Sequence, residues 1–181
     1  MAPRPRGGAG RGVLRAWQGV RPLRVAVGAD HGGYPLKGIL IEALREEGAE
    51  VLDFGTDSPE ACDYPDLAVP VARAVAGGRA DWGLLICGTG IGMSVAANKV
   101  PGVRAALCHD PYSARMAREH NDANVLCLGA RVIGPGLARE VLRAFMGAQF
   151  AGGRHARRVD KVRALEAVRG AQEESGGRAG D

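Results

Sequence analysis

The sequence predicts an α/β protein of Rossmann-like type: a doubly wound, five-stranded parallel sheet with helices on both faces and an extra C-terminal helix. Three observations carry this. From Leu23 onward, short apolar runs alternate with longer amphipathic ones, and the apolar runs end in Gly or Asp, where a parallel strand hands over to a helix. The apolar runs are continuous rather than alternating, as strands covered on both faces require. Aromatic residues make up only 4% of a chain that is 46% hydrophobic, so the core must be built from Ala, Val, Leu and Ile, which suits helices packed on a buried sheet. At 181 residues a single folded domain is expected, spanning residues 23–169.

The first strand is expected over residues 24–28 (RVAVG). It leads into Gly28-Ala29-Asp30-His31-Gly32-Gly33, an acid and an imidazole at a strand end among glycines that let backbone approach a ligand. Asp30 could equally be the N-cap of a helix over 34–47, which Gly48 closes. The second strand, 50–54 (EVLDF), precedes Gly55-Thr56-Asp57 and then Cys62-Asp63-Tyr64-Pro65-Asp66. Asp66 suits the N-cap of a helix over 67–76 ended by Gly77 and Gly78, and Asp63 and Tyr64 can reach a polar ligand.

The third strand, 82–87 (WGLLIC), runs into the most informative loop, Cys87-Gly88-Thr89-Gly90-Ile91-Gly92-Met93-Ser94, and a helix over 92–98 stopped before Pro101. Alternating glycines that open a helix expose a row of backbone N–H groups at a positive dipole end, suited to an anion or a developing oxyanion. Cys87 at the strand tip is a candidate base or nucleophile under the same field, or else a small buried residue. The spacing is GxGxG and not the dinucleotide fingerprint GxGxxG. Met93 stands where the third glycine belongs, although Asp110 does lie about 20 residues on, where a ribose-binding acid would. No Gly-Lys-Ser/Thr follows, which excludes a phosphate-binding P-loop, and no GxSxG elbow supports a serine hydrolase.

The fourth strand, 103–108 (VRAALC), is followed by His109-Asp110-Pro111-Tyr112-Ser113 and a helix over 112–120. His120 at its end is a candidate general acid or base, and Asn121 or Asn124 a possible cap. The fifth strand, 125–129 (VLCLG), ends beside Arg131 and precedes a helix over 137–148. A last helix is expected over 157–169 from the apolar stripe Val159, Val162, Leu165, Ala167 and Val168, with a disordered polar tail over 170–181. Arg154, Arg157 and Arg158 cluster at its start, where the dipole disfavours cations. Either an anion such as phosphate compensates them or they simply face solvent.

Charge and cysteine usage narrow the classes further. Net charge is +4, but residues 1–22 hold Arg4, Arg6, Arg11, Arg15 and Arg21 and no acid. Without them the chain has 19 basic against 20 acidic side chains, so the basicity belongs to a disordered or targeting extension and implies no nucleic-acid-binding body. The longest uncharged stretch, residues 82–98, is interrupted by four glycines, and no membrane span is expected. Cys62, Cys87, Cys108 and Cys127 form no CxxC pair, which argues against zinc or a disulfide framework and for a reducing, cytoplasmic setting. His31, His109, His120 and His155 lack ligand spacing, so no metal is expected.

Taken in order, the strings GADHGG, DYPD, CGTGIGMSVAANK, PGVRAALCHDPYSARMAREHNDANVLCLGAR and GGRHARRV resemble the type B ribose-5-phosphate isomerases, within the family that includes galactose-6-phosphate isomerase subunits. The resemblance covers residues 23–169. It implies a cofactor-free aldose–ketose isomerase of the pentose phosphate pathway, working as a homodimer or tetramer with active sites shared across the interface. Cys87 would then be the base that moves a proton between C2 and C1 through an enediolate, and His120 would assist opening of the furanose ring. Thr89 with the Gly88, Gly90, Ile91 and Gly92 backbone would hold the oxyanion. Asp30 and Asn121 would position sugar hydroxyls, and His31, Arg131, Arg154 and Arg158 would hold the phosphate, some of them from the partner subunit. A second branch of the family uses a Glu within the glycine loop, where this chain has Met93, so the Cys87 branch is implied. A non-catalytic sugar-phosphate- or nucleotide-binding module on the same fold is the rival; it would need the glycine loop and arginines but neither Cys87 nor His120.

Overall fold

The computed structural model describes residues 21–176, with side chains through residue 166. The extension expected over residues 1–22 lies outside the described residues apart from Arg21 and Pro22, as does the end of the tail from residue 177. Five strands, β1 (Arg24–Ala29), β2 (Glu50–Asp53), β3 (Trp82–Cys87), β4 (Ala105–Leu107) and β5 (Val125–Gly129), form one parallel sheet in the order β2-β1-β3-β5-β4. Six helices accompany them: α1 (Tyr34–Glu46), α2 (Tyr64–Ala76), α3 (Ile91–Ala97), α4 (Pro111–Asn121), α5 (Pro135–Met146) and α6 (Arg154–Gly176).

Strand alternation divides the core into two layers. Val25, Val27, Leu84, Ile86, Leu126 and Leu128 pack against α1, α4 and α5 on one face. Ala26, Leu85, Cys87, Val125 and Cys127 pack against α2 and α3 on the other. Trp82 meets Phe145 edge-on at 5.6 Å between ring centroids, and the Arg118 guanidinium lies 4.9 Å from the Trp82 ring, so a buried cation closes the first layer. Because α1 leaves β1 on one face and α3 leaves β3 on the other, their loops diverge at the carboxyl end of two adjacent strands. That opens the crevice where sheets of this class bind ligands. At Gly33 the backbone of α1 runs so close to β3 that a Cβ would stand 2.3 Å from the Ile86 carbonyl oxygen. Only glycine fits.

Several boundaries differ from the sequence expectation. β4 is three residues long, because the Asn124 side chain accepts from the Arg104 amide at 2.8 Å and ends the ladder short of Val103. α2 begins at Tyr64 with Pro65 in its first turn, so Asp66 lies inside the helix and Asp63 takes the cap position without making a side-chain cap bond. α4 begins at Pro111 under Asp110, whose carboxylate accepts from the Ser113 amide at 2.8 Å and its hydroxyl at 2.7 Å. α6 starts three residues earlier than its apolar stripe predicts and runs through Gly170 to Gly176, so those residues are helix and not tail.

Candidate active site

At the tip of β3, Cys87 is buried and its Sγ accepts the Gly90 amide at 3.0 Å. Gly90 reaches back to the sulfur through a left-handed turn, φ 78°, and a Cβ there would stand 2.5 Å from Leu107 Cδ1. The turn is thus shaped by glycine to put an N–H donor on sulfur, an arrangement that suits a sulfur carrying negative charge. Thr89 Oγ1 accepts the Ile91 amide at 3.3 Å, which steadies the same turn. The end of β5 straps it from the other side: the Ala130 amide donates to the Cys87 carbonyl at 2.9 Å and the Arg131 amide to the Gly88 carbonyl at 3.0 Å, which lays the Arg131 side chain over Gly88. The Tyr64 ring covers Gly92, leaving no room for a side chain there.

The loop after β1 completes the crevice. Asp30 is buried and accepts the Gly33 amide at 2.9 Å with one oxygen, which braces the turn before α1, but the cap position of that helix is Gly33 and not Asp30; the other Asp30 oxygen takes no hydrogen bond among the described residues. His31 Nδ1 accepts the Cys62 amide at 3.3 Å, which requires the proton on Nε2 and turns that N–H donor outward. His31 and Arg131 line one cavity of about 390 Å³, two nitrogen donors facing the same space. Asp63 and Tyr64, at the start of α2, are exposed and do not line that cavity. Burial pushes Cys108 up to about 11, with Asp110 adding to it, and burial likewise raises Cys127, so both are plain thiols in the core. Among the described residues no three His, Cys, Asp or Glu side chains converge as a metal site.

His120, Asn121, Arg154 and Arg158 are not in this crevice. α4 runs back against the strands, so His120 and Asn121 at its end lie at the amino end of the sheet, with the length of β5, about 16 Å at 3.3 Å per residue, between them and the Cys87 level. There His120, Asn121, His155, Arg158, Val162 and Leu165 line a cavity of about 770 Å³ between β4, α4 and α6. The His120 and His155 rings stack with centroids 4.2 Å apart and planes 4° from parallel. Asp122 caps α4 in the left-handed region, φ 48°, and its carboxylate takes Arg104 at 2.7 Å, Arg163 at 3.3 Å and Arg118 at 3.5 Å, tying α6 to α4. One chain therefore carries the expected site residues in two groups, at opposite ends of its strands.

Sequence reasoning missed the Gly90 amide on sulfur, the Cys62 amide on His31, the gathering role of Asp122 and the stacking of His155. For His155 a signal existed: His155, Val159 and Val162 are spaced four and three apart, on the face of α6 that turns inward. The others depend on backbone geometry that residue type does not announce.

A parallel α/β fold with a thiol, a glycine turn and nitrogen-donor side chains at its switch point defines a small-molecule enzyme scaffold of the doubly wound class. Comparison with known proteins sharpens this. Residues 25–162 match the family described as Ribose/Galactose Isomerase. Ribose-5-phosphate isomerase B of Escherichia coli is 52% identical over 143 residues, 79% of this chain and 96% of that protein. D-erythrulose-4-phosphate isomerase of Pectobacterium atrosepticum is 48% identical over 141 residues, 77% and 93% respectively. The solved structure of Clostridium thermocellum ribose-5-phosphate isomerase B superposes with a TM-score of 0.79 at 52% identity, covering 80% of this chain and 98% of that one. The type B enzyme of Trypanosoma brucei gives 0.78 at 51%, covering 80% and 99%. The chain belongs to the ribose/galactose isomerase family, and it is an isomerase. No helix among the described residues is long and apolar enough to cross a membrane.

Proposed function

We propose that the protein interconverts D-ribose 5-phosphate and D-ribulose 5-phosphate without a metal or cofactor, in a homodimer whose facing half-sites form each active site. The observation that carries the reading is the Gly90 amide on Cys87 Sγ inside a glycine turn at the switch point. Cys87, as thiolate, takes the C2 proton of the open-chain aldose. The electron pair forms the C1–C2 double bond and the carbonyl electrons move to O1, giving an enediolate. The amides of the residue 88–92 turn, with Thr89, stabilise that oxygen; the O2 hydroxyl proton passes to O1, and the proton on sulfur is returned to C1 as O2 becomes the ketone and Cys87 is left as thiolate again. His120 from the second copy assists the earlier step, protonating the ring oxygen as the C1–O4 bond breaks and the O1 hydroxyl gives up its proton to solvent to form the aldehyde. Asp30 of one subunit and Asn121 of the other hold hydroxyls, with Asp63 and Tyr64 at the rim. His31 and Arg131 of one subunit, with Arg154 and Arg158 of the other, hold the phosphate.

The need for a second copy is supported by the separation of the half-sites and by α6, where Val162 is 51% and Leu165 69% exposed beside the 770 Å³ cavity. A shorter substrate is the second reading, favoured by the 48% identity to an enzyme named for D-erythrulose 4-phosphate. The deciding experiment is turnover of ribose 5-phosphate by metal-free protein beside Cys87→Ala, with erythrulose 4-phosphate and allose 6-phosphate in parallel. Ribose turnover abolished in Cys87→Ala establishes the reaction and its base. Faster turnover of another sugar phosphate replaces the substrate, and no turnover of any leaves a binding module.

A further inference from the structure

We infer that His155 is a positioning residue for proton transfer at His120, holding that imidazole in place through a parallel stack. The inference rests on the ring-opening role proposed for His120. His120 ends α4 and makes no side-chain hydrogen bond among the described residues, so hydrogen bonding does not set its ring plane. The His155 ring does, 4.2 Å away and 4° from parallel.

His155 is itself well fixed. It is 8% exposed in the first turn of α6, and its amide donates to the Gly152 carbonyl at 3.0 Å. Arg154 Nε stands 3.4 Å from His155 Nε2, and a donor aimed at that nitrogen requires it to be unprotonated, which leaves the proton on Nδ1 and the ring neutral. Burial first, then His120, Arg154 and Arg158, hold its titration below the ordinary 6.5. A neutral ring beside His120 leaves the full proton exchange to His120, whereas a cation there would oppose it. Arg158 and Asn121 line the same cavity, so a substrate bound between them meets His120 at the orientation its stacked partner imposes.

Ring opening can be read apart from the enediolate step. Ribulose 5-phosphate carries its phosphate on the oxygen that would close a furanose, so this ketose stays open-chain, and deuterium uptake at its C1 in heavy water needs Cys87 but no ring opening. Conversion of ribose 5-phosphate needs both. We expect His155→Ala to slow conversion by about ten- to a hundredfold while leaving C1 exchange within about twofold, and His155→Phe, which keeps a stackable neutral ring, to regain most of the conversion. His120→Ala should show the same split as His155→Ala, and Cys87→Ala should lose both reactions. Conversion unchanged in His155→Ala, with His120→Ala impaired, overturns the inference alone. Conversion and exchange falling together overturn it too, because His155 is then a general support of the site. So does a Phe variant no better than Ala. Conversion intact in His120→Ala overturns the ring-opening reading and the inference with it. If His155→Ala does not fold, His155→Phe against His155→Gln, which cannot stack, makes the same comparison.

Discussion

At the scale of single residues, the β3 tip depends on one sulfur and one amide. Cys87→Ser keeps the shape of the side chain but replaces a soft, readily ionised atom with a hydroxyl, and we expect turnover of sugar phosphate to fall by about a hundredfold or more, with thermal stability unchanged. Gly90→Ala probes the donor instead. It places a methyl group 2.5 Å from Leu107 Cδ1 and strains a φ of 78°, so the turn must shift and carry the amide off the sulfur. Steady-state kinetics should show a lowered kcat with a smaller change in KM, together with a lower melting temperature; a Gly90→Ala enzyme with normal kcat would show that the donor is dispensable. Much of this tip was legible beforehand. Alternating glycines after an apolar strand point to exposed amides wherever they occur. That one of those amides bonds to Cys87 itself was not legible, since it depends on a φ that the residue type permits but does not dictate. His31 is similar: its position between strand and glycines was readable, whereas its tautomer follows from a Cys62 amide 31 residues away.

At the scale of elements, α4 and α6 are joined by charge at Asp122 and by the stacked imidazoles. Asp122→Ala leaves Arg104, Arg118 and Arg163 without their shared carboxylate, and Arg118 is buried against Trp82, so we expect a loss of about 2 kcal/mol in denaturant unfolding. His155 adds a pH dependence whose sign is fixed by the direction of its shift. Its folded titration lies below the ordinary 6.5, so the unfolded chain binds protons more readily than the folded one, and the contribution is fully present above 6.5 and lost as pH falls below it. The melting temperature should therefore drop on acidification from pH 6.5, and His155→Phe should flatten that slope; an unchanged slope would assign the acid sensitivity to other groups. Element types were readable from apolar runs and glycine stops, while several ends were not. α6 continues through Gly170 although glycine is a usual stop, and β4 stops short although its apolar run continues. In the latter case a side chain, Asn124, displaces the ladder.

At the scale of the molecule, the separation of Cys87 from His120 is the distance that the proposed two-subunit site has to bridge. The spacing in the sequence puts Cys87 at a strand tip and His120 at the end of a crossover helix, and in a parallel sheet these lie at opposite ends of the strands. The division was thus implicit in the predicted elements, and it agrees with the shared sites that the family resemblance implies. It leads to a complementation experiment. In a dimer of Cys87→Ala with His120→Ala subunits, one site combines both defects and the other combines intact Cys87 from one chain with intact His120 from its partner. Each variant alone should be nearly inactive, and subunits unfolded, mixed in equal amounts and refolded should regain about one quarter of wild-type turnover, the statistical yield of intact sites in random two-fold pairing. If both residues acted within one chain, every site in the mixture would keep a defect and no activity would return. The regained activity should also decline on dilution as the pair dissociates, in step with the oligomer mass measured by light scattering. On the proposed two-subunit site, α6 with its exposed Val162 and Leu165 is the face that a second copy has to cover to bring base and ring-opening acid together, and activity that persists on dilution of the oligomer would overturn that reading.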